Sequence, residues 1–193
     1  MGAPCKSWIA LTRSFTRRSL LLAEGPDPES CSPKRRRYLE QHNCIARICA
    51  LIMQMAPALE IYPVLEQPKT SLVFHFGPVE SVLRTLHVSR IALNLSAFQG
   101  SAVKPLILQG CGKFLYTLRQ VFQIRKRALS NTRPLAERGP LQSFSGSTRL
   151  FSGNKLWLRE SAAYTRSFGV AVALCFLGWS AEDVHCELLR MQL

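Results

Sequence analysis

Gly110-Cys111-Gly112-Lys113 is the stretch of this 193-residue chain whose spacing comes nearest to a phosphate-binding loop. Two glycine amides at a helix start can cradle an anion, and a lysine beside them can pair with it. The motif also needs an earlier glycine, and a Ser or Thr after the lysine to hold magnesium. Ile107 and Phe114 stand at those positions, so nucleotide binding is not expected. His42, Cys44 and Cys49 lie within eight residues. A structural zinc site takes four convergent ligands with tighter cysteine spacing, so these read as core thiols beside a histidine. His185 and Cys186 are adjacent, and adjacent helical residues point apart, which defeats a thiolate–imidazole pair. The two aspartates, Asp27 and Asp183, fall in a linker and at a helix start. No catalytic residue, metal-ligand set, cofactor or small-molecule substrate follows from these residues, and the chain reads as a non-enzyme.

Positive charge is what the chain offers instead. Lys and Arg number 25 against 12 Asp and Glu, a net charge of +13. Residues 81–159 hold 13 of those cations and a single acid, Glu137. A field of that sign attracts polyanions. Its focus is a helix expected over Phe114–Leu129, with Leu115, Leu118, Phe122 and Leu129 on the apolar side. Lys113, Arg119, Arg125, Lys126 and Arg127 surround that side and are the expected contacts to an anionic partner. A basic amphipathic helix suits an anionic membrane surface, an acidic protein or a calmodulin-like partner. It suits nucleic acid if Phe114, Tyr116 or Phe122 stacks on bases. A second run, Lys34-Arg35-Arg36-Arg37, has the composition of a nuclear import signal or a phosphate contact.

The elements that would position these residues are mainly helical. Residues 1–23 contain no acid. On a helix from Trp8 to Leu22, Trp8, Leu11, Phe15 and Leu22 share one face and Lys6, Arg13 and Arg17 lie opposite. An acid-free, Arg- and Ser-rich amphipathic start is the pattern of a mitochondrial transit peptide, driven inward by a membrane potential. Residues 24–34 read as a Pro-containing linker. In the region 35–129, the spacing predicts a helix from Tyr38 to Leu59. Its Tyr38, Ile45, Ile48, Cys49, Ile52, Ala56 and Leu59 face should be buried, with Glu40, Asn43, Arg47 and Gln54 opposite. Pro57 should kink or end it. Residues 71–76 read as a short strand, and 103–109 as a strand that Pro105 confines to an edge. Residues 79–98 carry two periods: Val79, Val82, Leu83, Leu86 and Leu93 suit a helix, while Ile91, Leu93, Leu95 and Ala97 alternate as in a strand, and the helix is favoured.

Residues 130–155 are rich in Ser, Gly and Pro and read as a loop or disordered span. Residues 156–193 hold an apolar helix and a capped amphipathic one. Ser167 to Ala181 carries no charge. As a helix it would reach only ~22 Å against a ~30 Å hydrocarbon core, which favours a buried or interfacial helix over a spanning one. Ser180-Ala181-Glu182-Asp183 matches a capping box. The fold class is therefore mainly α: a small irregular helical assembly with one or two short strands and substantial disordered segments.

Composition narrows the function without naming it. Apolar residues make up 47% of the chain, too many for a wholly disordered protein. Seven cysteines without a secretory signal imply free thiols in a reducing compartment. Leu, Ser and Arg total 64, and Arg outnumbers Lys 18 to 7, proportions that follow the codon table. Three readings result: a small basic mitochondrial or membrane-associated protein acting through interactions, a nuclear nucleic-acid-binding protein, and a weakly selected or regulatory protein with no defined site. The first predicts that residues 1–23 carry a fused fluorescent reporter into mitochondria. Changing Arg13, Arg17 and Arg18 to Glu should leave that reporter diffuse in the cytosol under the microscope.

Overall fold

The computed structural model describes residues 7–9, 12–99, 105–130, 141–145, 148–152 and 164–191. The chain is mainly α and divides into two compact units, Met1–Ala92 with Leu106–Gly112, and Leu93–Pro105 with Lys113–Leu193.

In the first unit the acid-free start is not one long amphipathic helix. Among the described residues of that start, α-helix is confined to Arg13–Thr16 (α1), and Arg17, at φ 54°, ends it in the left-handed region. The remainder is held by side chains. Trp8 is 1% exposed and packs at 5.2 Å from Phe76 in the core cluster. Its carbonyl accepts from the Leu72 amide at 2.9 Å. Arg18 is buried over the Trp8 ring, 3.7 Å from the centroid. Its guanidinium donates to Ser7 Oγ at 3.0 Å, to Asn43 Oδ1 at 2.7 Å and to the Ala23 carbonyl. A buried cation is tolerated only when its donors are met, and here neutral oxygens and an aromatic face meet them.

Pro33–Met55 forms α2, with Pro33 in the first turn, where a missing amide costs nothing. Pro57 falls in a 3-10 turn, Ala56–Leu59, and Glu60 closes it at φ 57°. The buried face of α2 is Leu39, His42, Asn43, Ala46, Cys49, Ala50 and Met53. This corrects the expected orientation: Ile48, Ile52 and Leu59 are exposed, and Asn43 is inside. Two contacts turn Asn43 inward, since it accepts from Arg18 and donates to the Glu24 carbonyl at 3.0 Å. Ala46 and Ala50 then allow close approach on the same face.

Three strands form a sheet in the order β1-β3-β2, where β1 is Val64–Pro68, β2 is Ser89–Asn94 and β3 is Pro105–Gly110. β1 was not anticipated, because prolines bracket it. β3 lies in the centre, not at an edge. Pro105 is its first residue, outside the antiparallel register with β1, which runs from Val64↔Gly110 to Pro68↔Leu106. Its missing amide therefore leaves that pairing intact. The 71–76 segment is a 3-10 turn, Val73–His75, in place of a strand. The 79–98 segment begins within a helix, Gly77–Thr85 (α3), then becomes β2 and a 3-10 turn, Leu95–Phe98. Both periods visible there are real and apply to successive pieces.

In the second unit, Phe114–Ser130 (α4) packs against Arg166–Phe176 (α5) and Ala181–Arg190 (α6). Thr165 caps α5, accepting from the Phe168 amide and donating to the Phe98 carbonyl at 2.5 Å. Ser180 caps α6 as its motif requires, accepting from the Asp183 amide at 3.1 Å. The uncharged run 167–181 is broken at Gly178, φ +89°. No helix among the described residues is long and apolar enough to cross a membrane. Within the 130–155 span read as a loop, Leu141–Ser145 (β4) and Thr148–Ser152 (β5) pair as an antiparallel hairpin.

The Trp8–Arg18 pair predicts the main stability defect. Trp8→Ala should cost about 3–5 kcal/mol, as large aromatic truncations in cores do. Arg18→Lys keeps the charge but cannot reach three acceptors, and should cost about 1–3 kcal/mol. Urea unfolding followed by far-UV circular dichroism measures both.

Candidate functional site

α4 contains no Gly, Pro or acid. Leu115, Leu118 and Val121 are fully buried. Because the helix repeats every 3.6 residues, the opposite side carries Lys113, Tyr116, Arg119, Gln120, Gln123, Lys126 and Arg127. Lys113, Arg119, Lys126 and Arg127 are all exposed. An open groove of about 450 Å³ follows this side, lined by Tyr116, Arg119, Gln120, Gln123, Ile124 and Arg127, with Glu182 of α6 at its edge. Arg119 and Lys126 stand about 10 Å apart along the axis. Cations at that interval, with amide donors between them, match a row of phosphate or carboxylate groups.

Arg125 is not part of this face, contrary to the sequence expectation. It points inward, and its Nε donates to the Ala97 carbonyl at 2.6 Å beneath the Phe98 ring. Burial lowers its pKa from the usual guanidinium range. Periodicity alone could have placed it, because Arg125 lies four residues after Val121 on the buried side. The basic sequence around it concealed that. Tyr116, expected as a stacking residue, lines the groove. Gln120 and Gln123 were missed; their one sequence signal is their spacing between Arg119 and Arg127.

The Lys34–Arg37 run is partly committed to the fold. Arg36 donates through Nε and Nη2 to the Pro28 carbonyl, at 3.0 and 2.7 Å. Arg35 lies 5.8 Å over the Phe15 ring. Lys34 and Arg37 remain exposed beside a shallow cleft of about 420 Å³ that Phe15, Tyr38 and Gln41 complete.

The residues that suggested chemistry have local explanations. A Cβ on Gly110 would meet the Pro63 carbonyl oxygen at 2.2 Å, so strand pairing demands glycine there. Gly112 sits at φ 117°, where other residues are strained. Burial pushes the Cys49 and Cys111 thiols up, and Cys175 to about 11. A thiol raised this way stays protonated at neutral pH and is a poor nucleophile. Among the described residues, no cluster of His, Cys, Asp or Glu is placed to hold a metal ion.

No family model, curated protein or solved structure matches this chain. The reading of the site therefore rests on its own geometry. Beside the basic groove, the turn from α5 to α6 exposes Phe176, Leu177 and Trp179. Phe176 meets Phe114 of α4 edge-on at 5.7 Å, which puts this apolar turn next to the start of the basic helix.

His185 supplies a pH signature for this unit. Desolvation lowers its pKa, and the Arg125 charge lowers it further. A depressed pKa means that the unfolded chain takes up the proton first as pH falls below about 6.5. Stability is therefore full above that value and declines until the folded imidazole also protonates. The Tm should fall between pH 7.5 and 5.5, and His185→Gln should flatten part of that slope in thermal melts.

Proposed function

We propose that this is a non-enzymatic basic protein that binds the surface of an anionic membrane through its second unit. One observation carries the reading: the exposed Phe176–Trp179 turn stands beside a helix whose outward face is basic. Exposed aromatic and aliphatic side chains enter the headgroup boundary, and flanking cations pair with lipid phosphates. The raised thiols and the structural use of Gly110 and Gly112 support a non-enzymatic role.

A mitochondrial address is part of this proposal, with one constraint. Trp8 and Arg18 belong to the folded core. An address within 1–23 would thus have to be read from the unfolded chain and retained afterwards. The nuclear alternative draws on Lys34–Arg37, of which Arg35 and Arg36 are already engaged.

Flotation with phosphatidylcholine vesicles containing phosphatidylserine tests the reading. Each basic residue near such a surface contributes ~1 kcal/mol, so reversing Arg119, Lys126 and Arg127 to Glu should weaken binding well over a hundredfold. Trp179→Ala should weaken it further at fixed salt. Binding to RNA in the absence of vesicle binding would replace the membrane with nucleic acid as the partner.

A further inference from the structure

The outward side of α2 has no part in the membrane reading. Ile48, Leu51, Ile52 and Met55 lie opposite its buried face, each between 47% and 64% exposed. Four large aliphatic side chains in one unbroken row are a contiguous apolar patch, the kind that marks an interaction surface. Their i, i+3, i+4, i+7 spacing is the pattern by which one helix seats another. Toward the N-terminus the same line carries Arg37 and Lys34, both exposed. From Lys34 to Met55 it runs ~32 Å. It is one helix wide, basic at one end and apolar at the other.

We propose that this line is a docking seam for an amphipathic helix of an acidic partner protein. The partner's apolar anchors would lie over Ile48–Met55 and its carboxylates over Lys34 and Arg37. Charge selects this occupant. A second copy laid parallel would set Lys34 and Arg37 against their own likenesses. Laid antiparallel, it would cover the apolar half and leave the basic half bare. Either arrangement brings together two chains of net charge +13. An anionic bilayer is wider than one helix and would also meet Glu40, which is exposed on α2 to one side of this line. An acidic helix complements the whole line.

The test uses the full chain and two synthetic 24-residue helical peptides with Leu at heptad a and d positions. One carries Glu at the other positions of one half, and the control carries Lys there. Fluorescence anisotropy should show the Glu peptide binding at least about tenfold more tightly than the control. Leu51→Asp should weaken it about tenfold or more, and so should Lys34→Glu with Arg37→Glu. The α4 charge-reversal chain should bind the peptide much as the native chain does, which separates this seam from the membrane face. Exposed Cys44 lies on the same line, and bound peptide should slow its alkylation. Circular dichroism confirms that each variant folds; if Leu51→Asp does not, the Lys34/Arg37 variant decides alone. Equal binding of the two peptides, or undiminished binding by the folded variants, overturns the proposal. So does a dimer in sedimentation that Leu51→Asp dissociates, or vesicle binding that Leu51→Asp abolishes.

Discussion

The buried Arg18 guanidinium organises the first unit. A cation removed from water must have its donors satisfied, and a carboxylate is the usual answer. Here Ser7, Ala23 and Asn43 supply neutral oxygens, and the Trp8 ring lies beneath the charge. Desolvation pulls the pKa down to about 10, with the charges of Tyr38 and Glu24 acting the other way. The group still carries its proton at neutral pH. Satisfying it fixes three stretches of chain at once: residues 7–8, the 18–24 turn and the middle of α2. Trp8 is thereby pressed into the core against Phe76, and the N-terminal segment becomes part of the fold.

The orientation of α2 follows from that fixation. Asn43 would lie outside by any hydropathy rule, yet it bridges Arg18 and the Glu24 carbonyl. Once Asn43 faces inward, the helix period dictates the rest. Ala46, Ala50 and Met53 go to the core, and Ile48, Leu51, Ile52 and Met55 go outward. An exposed aliphatic row is thus the geometric consequence of one polar bond network. The network holds a buried polar group, the row faces solvent, and the same rigid helix sets both.

The second unit repeats the device with less satisfaction. Arg125 is buried and gives its Nε to Ala97, but its Nη1 has no hydrogen-bond partner, and neither does Nδ1 of His185. Two buried polar nitrogens without partners, in groups that repel each other once His185 is protonated, make this the less stable polar cluster. The outward charges of α4 have no such conflict, because water screens them. One helix thus divides its cations between Arg125, built into the interior, and Arg119, Lys126 and Arg127, which face solvent.

Helix content, the α6 cap at Ser180, the end of α2 near Pro57 and the basic side of α4 were legible in the sequence. These depend on period, on capping chemistry and on the proline ring, all of which act within a few residues. The strands around β3 were half legible, since the alternation at 89–94 competes with a helical period that belongs to the residues before it. The burial of Trp8, the inward turn of Asn43, the central place of β3 and the division between Arg125 and its neighbours were not legible. Each depends on a partner far along the chain, such as Asn43 for Arg18 or Ala97 for Arg125. The sequence by itself determined that the chain is mainly helical and strongly basic. Only the tertiary structure decided which arginines are buried and which helix face is left open, because a polar group's burial is settled by the partner it finds in space and not by its hydropathy.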